Sequence, residues 1–437
     1  MNKLFEVREF DVITGNKDFA DDNRFRYIDS ECFNGFMEFA EHYSQNSETT
    51  DVLKFMNISY KRSVGNVISV KNYVGLIQTK NGDQLHILPK IYLKNDLDAE
   101  NARTKSIFIK MLRSMKNFPG KVFDVANIKI DKMNIYEIFI NMYLNEVRGL
   151  VKKGIKSDYI NLEDNLKFYK GKLLINKQIK YNIAHRERFF ITYDDYNCNR
   201  SENRLIKSTL LKLEKLTTSA NNLKEIHQLL NAFELVKPSL NYTLDFSQIK
   251  NDRSSRDYIL LMQWSKVFLF NKSFSTFSGK NETKSILFPM ETVFESYVAK
   301  HIKKVLEPAG WEIHIQDKEN YLFDEPRKQF ALRPDIVCKR GNRTIIVDTK
   351  WKNLIFNERK NYGISQSDMY QMYAYSKKYN TPEVWLLYPL NIEMEGARQI
   401  IFKSKDNTNV SLHFVDLENT RDTFEEFRDK IEVTTSL

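Results

Sequence analysis

Glycine and proline are scarce, 14 and 9 among 437 residues. That leaves little room for long flexible linkers and points to regular elements joined by short turns. Cysteine is scarcer still. Cys32, Cys198 and Cys338 lie far apart, no C-x-x-C occurs, and no His stands at zinc-like spacing from a Cys. A disulfide framework and a zinc site are thereby excluded, and a reducing compartment is implied. No run of eighteen apolar residues exists, so no membrane span is expected. The opening MNKLFEVREFDV carries charges where a signal peptide needs an apolar core. The chain therefore reads as cytoplasmic. Also missing is G-x-x-x-x-G-K-[ST], since Gly171-Lys172 and Gly279-Lys280 lack the following Ser or Thr. Any nucleotide motor must lie on another chain.

What is present is a globular composition, 42% hydrophobic and 28% charged. Aromatics are abundant, with 30 Phe and 22 Tyr, enough for large cores. The net charge of +10 favours a polyanion, and DNA is the first candidate. The plain alternative is a lysine-rich composition without a nucleic-acid role.

Three regions follow from the patterning, α/β in class and α+β overall. Residues 1–100 read as a β-rich domain. A helix is expected over Phe36–Gln45, and a strand over Val67–Lys80. Asn81-Gly82 then signals a hairpin turn, with Gln84–Leu88 returning. Such strands could project as a narrow finger. Residues 101–270 read as mainly helical, with apolar spacings of three and four near 106–113, 134–148, 202–216, 221–233 and 257–270. Within them Leu173–Lys180, where Lys and Ile interleave, reads as a strand, and Ser273–Gly279 beyond them as a loop. Residues 271–437 alternate helix and strand: helix 290–306, strands 311–316, 330–338 and 343–348, helix 365–379, strand 383–388, a further strand or two, and a helix near 422–431.

The chemistry concentrates in this last region. Arg333-Pro-Asp335 opens one strand, and Thr344-Ile-Ile-Val-Asp348-Thr-Lys350 forms the next, joined by a tight turn at Lys339–Asn342. Side chains alternate along a strand, so Asp348 and Lys350 share a face, and a hairpin can bring Asp335 beside them. Carboxylates suit Mg²⁺, a hard ion that prefers oxygen ligands, with Mn²⁺ as a substitute. A lysine beside the attacking water can orient it or stabilise developing charge. Glu291 and Glu295, four apart on one helical face, offer a further carboxylate, and Glu295 is the candidate third metal ligand. Downstream, Asp368, Gln371 and Tyr375 fall on one helical stripe, facing either a site or ordinary packing. Lys300–Lys304, Lys339-Arg340, Arg343, Lys350 and Lys352 could neutralise phosphates. Trp351 reads as packing against the sheet.

These segments resemble a known family. Phe288-Pro-Met290, Phe294-Glu295, Leu332–Asp335, Asp348–Lys352 and Asp368–Tyr375 look like McrC, the nuclease subunit of McrBC modification-dependent restriction systems, within the PD-(D/E)xK superfamily. Gln371 and Tyr375 also fit the Q-x-x-x-Y helix of RecB-like nucleases. Ser69–Gly75, Ile87–Lys90 and Lys170–Leu173 are similar to further McrC segments. The resemblance implies a restriction-endonuclease-like mixed sheet flanked by helices, cutting DNA with Mg²⁺ on Asp335, Asp348 and Glu295. Lys350 would assist the water, and Gln371 and Tyr375 would orient the site. It also implies an McrB-like AAA+ GTPase that recognises 5-methylcytosine-type modification and is stimulated by the N-terminal region of this chain. Two rivals stand beside it. One is a RecB-like nuclease without a GTPase partner, the other a regulatory subunit that does not cut.

Overall fold

The computed structural model describes residues 3–45, 56–79, 81–91, 100–115, 135–249, 256–270, 284–397 and 400–433. The Ser273–Gly279 loop expectation lies outside these residues. Two compact units emerge: Met1–Lys132 together with Ser273–Leu437, and Met133–Lys272. Among the described residues no helix is long and apolar enough to cross a membrane.

The first segment is β-rich, as its composition suggested. It comprises β1 (Leu4–Arg8), β2 (Val12–Thr14), β3 (Arg26–Tyr27), α1 (Ser30–Gln45), β4 (Met56–Lys61), β5 (Gly65–Val70), β6 (Tyr73–Gln78), β7 (Gln84–Leu88) and α2 (Glu100–Leu112). The long strand expected over Val67–Lys80 is two, because β5 pairs with β2 and β4 while β6 pairs with β7. The turn at Asn81-Gly82 closes that hairpin, with Thr79 N donating to Asp83 O at 2.9 Å.

The second unit is mainly helical: α3 (Ile135–Lys153), β8 (Asp158–Leu166), β9 (Lys172–Leu173), α4 (Ile175–Asn182), β10 (Phe189–Asn197), α5 (Ser201–Glu214), α6 (Ala220–Ala232), α7 (Tyr242–Ser247) and α8 (Arg256–Phe270). Its core stacks Trp264 on Phe268 at 5.5 Å, with Phe139 and Tyr143 beside them. The strand expected at Leu173–Lys180 is mostly helix α4. Its inner face is polar and so escapes a hydrophobic count. Gln178 accepts from Phe190 N at 2.6 Å, and Asn182 and Gln178 both donate to Arg188 O. β8 and β10 pair over nine residues in a long antiparallel ribbon, with β9 on the other side of β10. Gly171 is required there: its φ is +77°, and a Cβ would meet Thr192 O at 2.3 Å.

The last segment returns to the first unit with β11 (Lys284–Pro289), α9 (Met290–Leu306), β12 (Glu312–Ile315), β13 (Tyr321–Phe323), β14 (Gln329–Ala331), β15 (Ile336–Arg340), β16 (Arg343–Thr349), α10 (Gln366–Lys378), β17 (Glu383–Pro389), β18 (Ile400–Lys403), β19 (Asn409–Val415) and α11 (Thr420–Val433). The strand expected over 330–338 divides into β14 and β15, with Leu332–Asp335 irregular between them. β11 pairs with β6, giving a sheet ordered β1-β7-β6-β11. Gly75 permits this pairing, since a Cβ at its φ of +145° would meet Ile286 O at 1.9 Å. The Asn81-Gly82 hairpin is therefore no projecting finger. β6 and β7 are the inner strands of a sheet, and all six residues of β6 are buried. Its apolar residues serve both faces, as in a covered sheet.

The main sheet has six strands in the order β12-β15-β16-β17-β19-β18. β15 runs antiparallel to β16, whereas β17 is parallel to it. This is the mixed sheet flanked by helices that the resemblance implied. Ile346, Val384, Leu386 and Tyr388 face one core with Met372 and Tyr375 of α10. On the opposite face Trp385 and His413 pack against Phe427 of α11.

Candidate active site

β16 is rich in β-branched residues and almost wholly buried, which places its C-terminal end at the middle of the sheet. The last ladder pair with β15 is Ile336 with Val347. Beyond it the two chains carry side chains that can meet. Asp348 is 1% exposed. Lys350 Nζ lies 2.6 Å from Asp348 Oδ2 as an ion pair, so the alternation expected from sequence holds. Thr349, between them, donates to Asp335 Oδ2 from its amide at 2.7 Å and its hydroxyl at 2.6 Å. Asp335 is thereby held beside Asp348 and Lys350.

The helical stripe also arrives. Ser365 caps α10 by accepting from Asp368 N at 3.1 Å. Lys350 Nζ reaches Gln371 Oε1 at 3.4 Å, and Gln371 Nε2 donates to the Tyr375 hydroxyl at 2.7 Å. Glu295 stands on α9 and accepts from Gln316 Nε2 at 2.9 Å, while Gln316 N donates to Asp335 O at 2.8 Å. Gln316 thus links the third candidate carboxylate to the backbone of the first. Glu291, one turn earlier, instead accepts from Asn72 Nδ2 at 2.6 Å.

The electrostatics follow from burial and crowding. Burial, then Asp335, raises the Asp348 carboxyl, against the pull of Lys350. Burial raises Asp335 as well, opposed by the two Thr349 hydrogen bonds and by Lys350. Glu295 is pushed up to about 7 by burial and by Asp335. Burial alone would lower Lys350, but Asp348, Asp335 and Asp368 together outweigh it and raise the ammonium. Burial and Asp348 raise the Tyr375 phenol.

Mg²⁺ fits these residues. Asp348 is buried with the Lys350 ammonium beside its Oδ2, and three raised carboxyls crowded together are what an added cation would relieve. Among the described residues no three His, Cys, Asp or Glu side chains form a ready-made cage. Mg²⁺ characteristically takes one or two carboxylates and keeps several waters, so Asp335 and Asp348 suffice as its direct anchors.

One expected basic cluster lies elsewhere. Lys339, Arg340 and Arg343 sit at the β15–β16 turn, the end of the hairpin away from Asp335 and Asp348. They pair with Glu319, Glu432 and Glu383 respectively. Trp351 is packing, as expected, at 6% exposure. Thr349 and Gln316 belong to no recognised motif and emerge only from the geometry.

A six-stranded mixed sheet flanked by helices, with two carboxylates and a lysine at the end of its central antiparallel pair, is consistent with a nuclease-like fold. The chain belongs to the McrBC 5-methylcytosine restriction system component family, whose model matches residues 68–389. A solved structure described as a refined half-complex from the tetradecameric assembly of Thermococcus gammatolerans McrB AAA+ hexamers with bound McrC is similar. Its TM-score is 0.69 at 17% identity, covering 99% of this chain and 100% of that one. A second structure, of the Thermococcus gammatolerans McrBC complex, matches at TM-score 0.46 and 20% identity over 70% of this chain and 88% of that one. Comparison with curated proteins finds no match.

Proposed function

We propose that this chain is the McrC-type DNA endonuclease subunit of a 5-methylcytosine-directed restriction system, hydrolysing phosphodiester bonds with Mg²⁺ and stimulating a GTP-dependent AAA+ partner. The convergence of Asp335, Asp348 and Lys350 at one strand end carries the reading. When bound, Mg²⁺ supplies Lewis-acid polarisation of a phosphate oxygen and a more acidic water. Asp335 and Asp348 hold it, with Glu295 as the outer carboxylate. Lys350, poised between Asp348 and Gln371, orients the attacking water and meets the charge that develops on phosphate. Gln371 and Tyr375 fix the direction of that ammonium. Thr349 spends two donors on one oxygen of Asp335, leaving its other oxygen for the metal.

The AAA+ partner is inferred from family membership and from the similar assembly with McrB hexamers. The lack of a nucleotide-binding loop in this sequence agrees with a motor on a separate chain.

Titration calorimetry with Mg²⁺ tests the division of labour. Asp348→Asn should abolish measurable binding, while Lys350→Ala should bind Mg²⁺ at least as tightly as the native chain. Equal binding by native protein and Asp348→Asn would remove Asp348 from the metal site.

A further inference from the structure

Glu9 is a buried carboxyl that the proposed chemistry does not use. It lies just past β1 and is 0% exposed. Both of its oxygens stand 3.1 Å from Trp351 Nε1, and Oε2 also accepts from Lys90 N at 3.1 Å. Trp351 directly follows Lys350. Its ring packs on Phe294 at 5.3 Å, the residue before Glu295. The indole is therefore gripped from two sides, by the helix that carries Glu295 and by an acid 342 positions away in sequence.

The arrangement is costly. Burying a carboxyl with only an indole N–H and one amide as donors is unfavourable without a further role or partner. Burial pushes Glu9 up to about 8, with Glu291 adding to the rise and Lys90 opposing it. A packed Phe, or an indole bonded to a carbonyl, would fill the same space at lower cost. What the carboxyl adds is direction. It fixes where Trp351 sits, and hence where the chain leaves β16 beyond Lys350. Lys350 N donates to Leu387 O at 2.9 Å, so the backbone is pinned on one side by β17 and on the other by the Trp351–Glu9 contact.

We infer that Glu9 is a positioning residue for the cleavage centre, acting through Trp351 to hold Lys350 between Asp348 and Gln371. The inference rests on the proposed role of Lys350. It makes the N-terminal segment part of the cutting machinery, so that residues 271–437 alone lack a group their centre needs.

Steady-state cleavage of methylated DNA by the full chain with its AAA+ partner, GTP and Mg²⁺ tests this, alongside hydrogen exchange at the Lys350 amide. Trp351→Phe and Glu9→Ala should each lower kcat by about tenfold, as a misplacement well under 1 Å would. KM for DNA and the Mg²⁺ concentration for half-maximal rate should stay unchanged, and exchange at Lys350 should quicken. The double variant should be no slower than the worse single one, because both remove one contact. Glu9→Gln, which keeps an acceptor for the indole, should recover to within about threefold of native, on the same reasoning. A role in stability alone would lower the melting temperature and leave kcat intact in a folded variant; that result overturns the inference, as does a multiplying loss in the double variant. If Glu9→Ala does not fold, Trp351→Phe alone decides by the same criteria. A Lys350→Ala control separates the two levels. If it cuts normally, the proposed function fails. If it is inactive while folded Trp351→Phe and Glu9→Ala cut normally, only the Glu9 inference fails.

Discussion

Thr349 gives Asp335 two hydrogen bonds because its own amide has run out of strand: the β15 ladder ends at Ile336 and Val347. No local pattern shows this. Asp348 and Lys350 were legible because strands alternate, and Gln371 with Tyr375 because residues four apart share a helix face. Thr349, Gln316 and Glu9 act across long sequence distances, which spacing cannot reveal. The acids at this centre also set a pH dependence. The Asp348 carboxyl is raised in the folded chain, by burial and by Asp335. A raised carboxyl costs no stability below the unfolded value near 4, and the cost grows as pH climbs toward the folded value. Removing one charge should therefore help only at higher pH. Without Mg²⁺, Asp335→Asn should melt roughly 2–4 °C above native at pH 7.5, the response to about 1 kcal/mol, and level with native near pH 4. A gain that persists unchanged at pH 4 would mean the carboxyls do not repel.

At the scale of elements, hydrophobic period located most helices and strands to within a few residues. It failed where polar side chains line the inner face, as Gln178 and Asn182 do in α4. It also misjudged the Asn81-Gly82 hairpin, whose turn was legible but whose neighbours were not, because pairing with β1 and β11 is a tertiary fact. The extended ribbon is instead β8–β10. Between its strands, residues 167–188 hold five lysines and two arginines against Glu187 alone. Phe168, Tyr169 and Ile183 there are 60%, 59% and 74% exposed. Large apolar groups left in water beside cations characterise a contact surface. Within the proposed function, this tip is a second surface for the AAA+ partner, beside the N-terminal region. Phe168→Ala with Tyr169→Ala should cut stimulation of the partner's GTPase about tenfold or more, as loss of aromatic anchors does, with the melting temperature unchanged. Full stimulation by the double variant would return the assignment to another surface.

For the whole molecule, the sequence suggested three consecutive regions, and the fold has two units with the first built from both ends of the chain. β6 pairing with β11, and Glu9 meeting Trp351, join segments that composition had separated. The middle region is a compact unit with its own aromatic core. The central claim is that a chain so assembled cuts DNA at Asp335, Asp348 and Lys350. Its most direct test is cleavage of methylated duplex DNA by the full chain with its AAA+ partner, GTP and Mg²⁺, comparing native protein with Lys350→Ala while GTP turnover is followed in the same mixture. Cleavage should fall by about 10²-fold or more, the scale for losing a group that meets transition-state charge, with GTP turnover unchanged. Native-rate cleavage by Lys350→Ala would contradict the account.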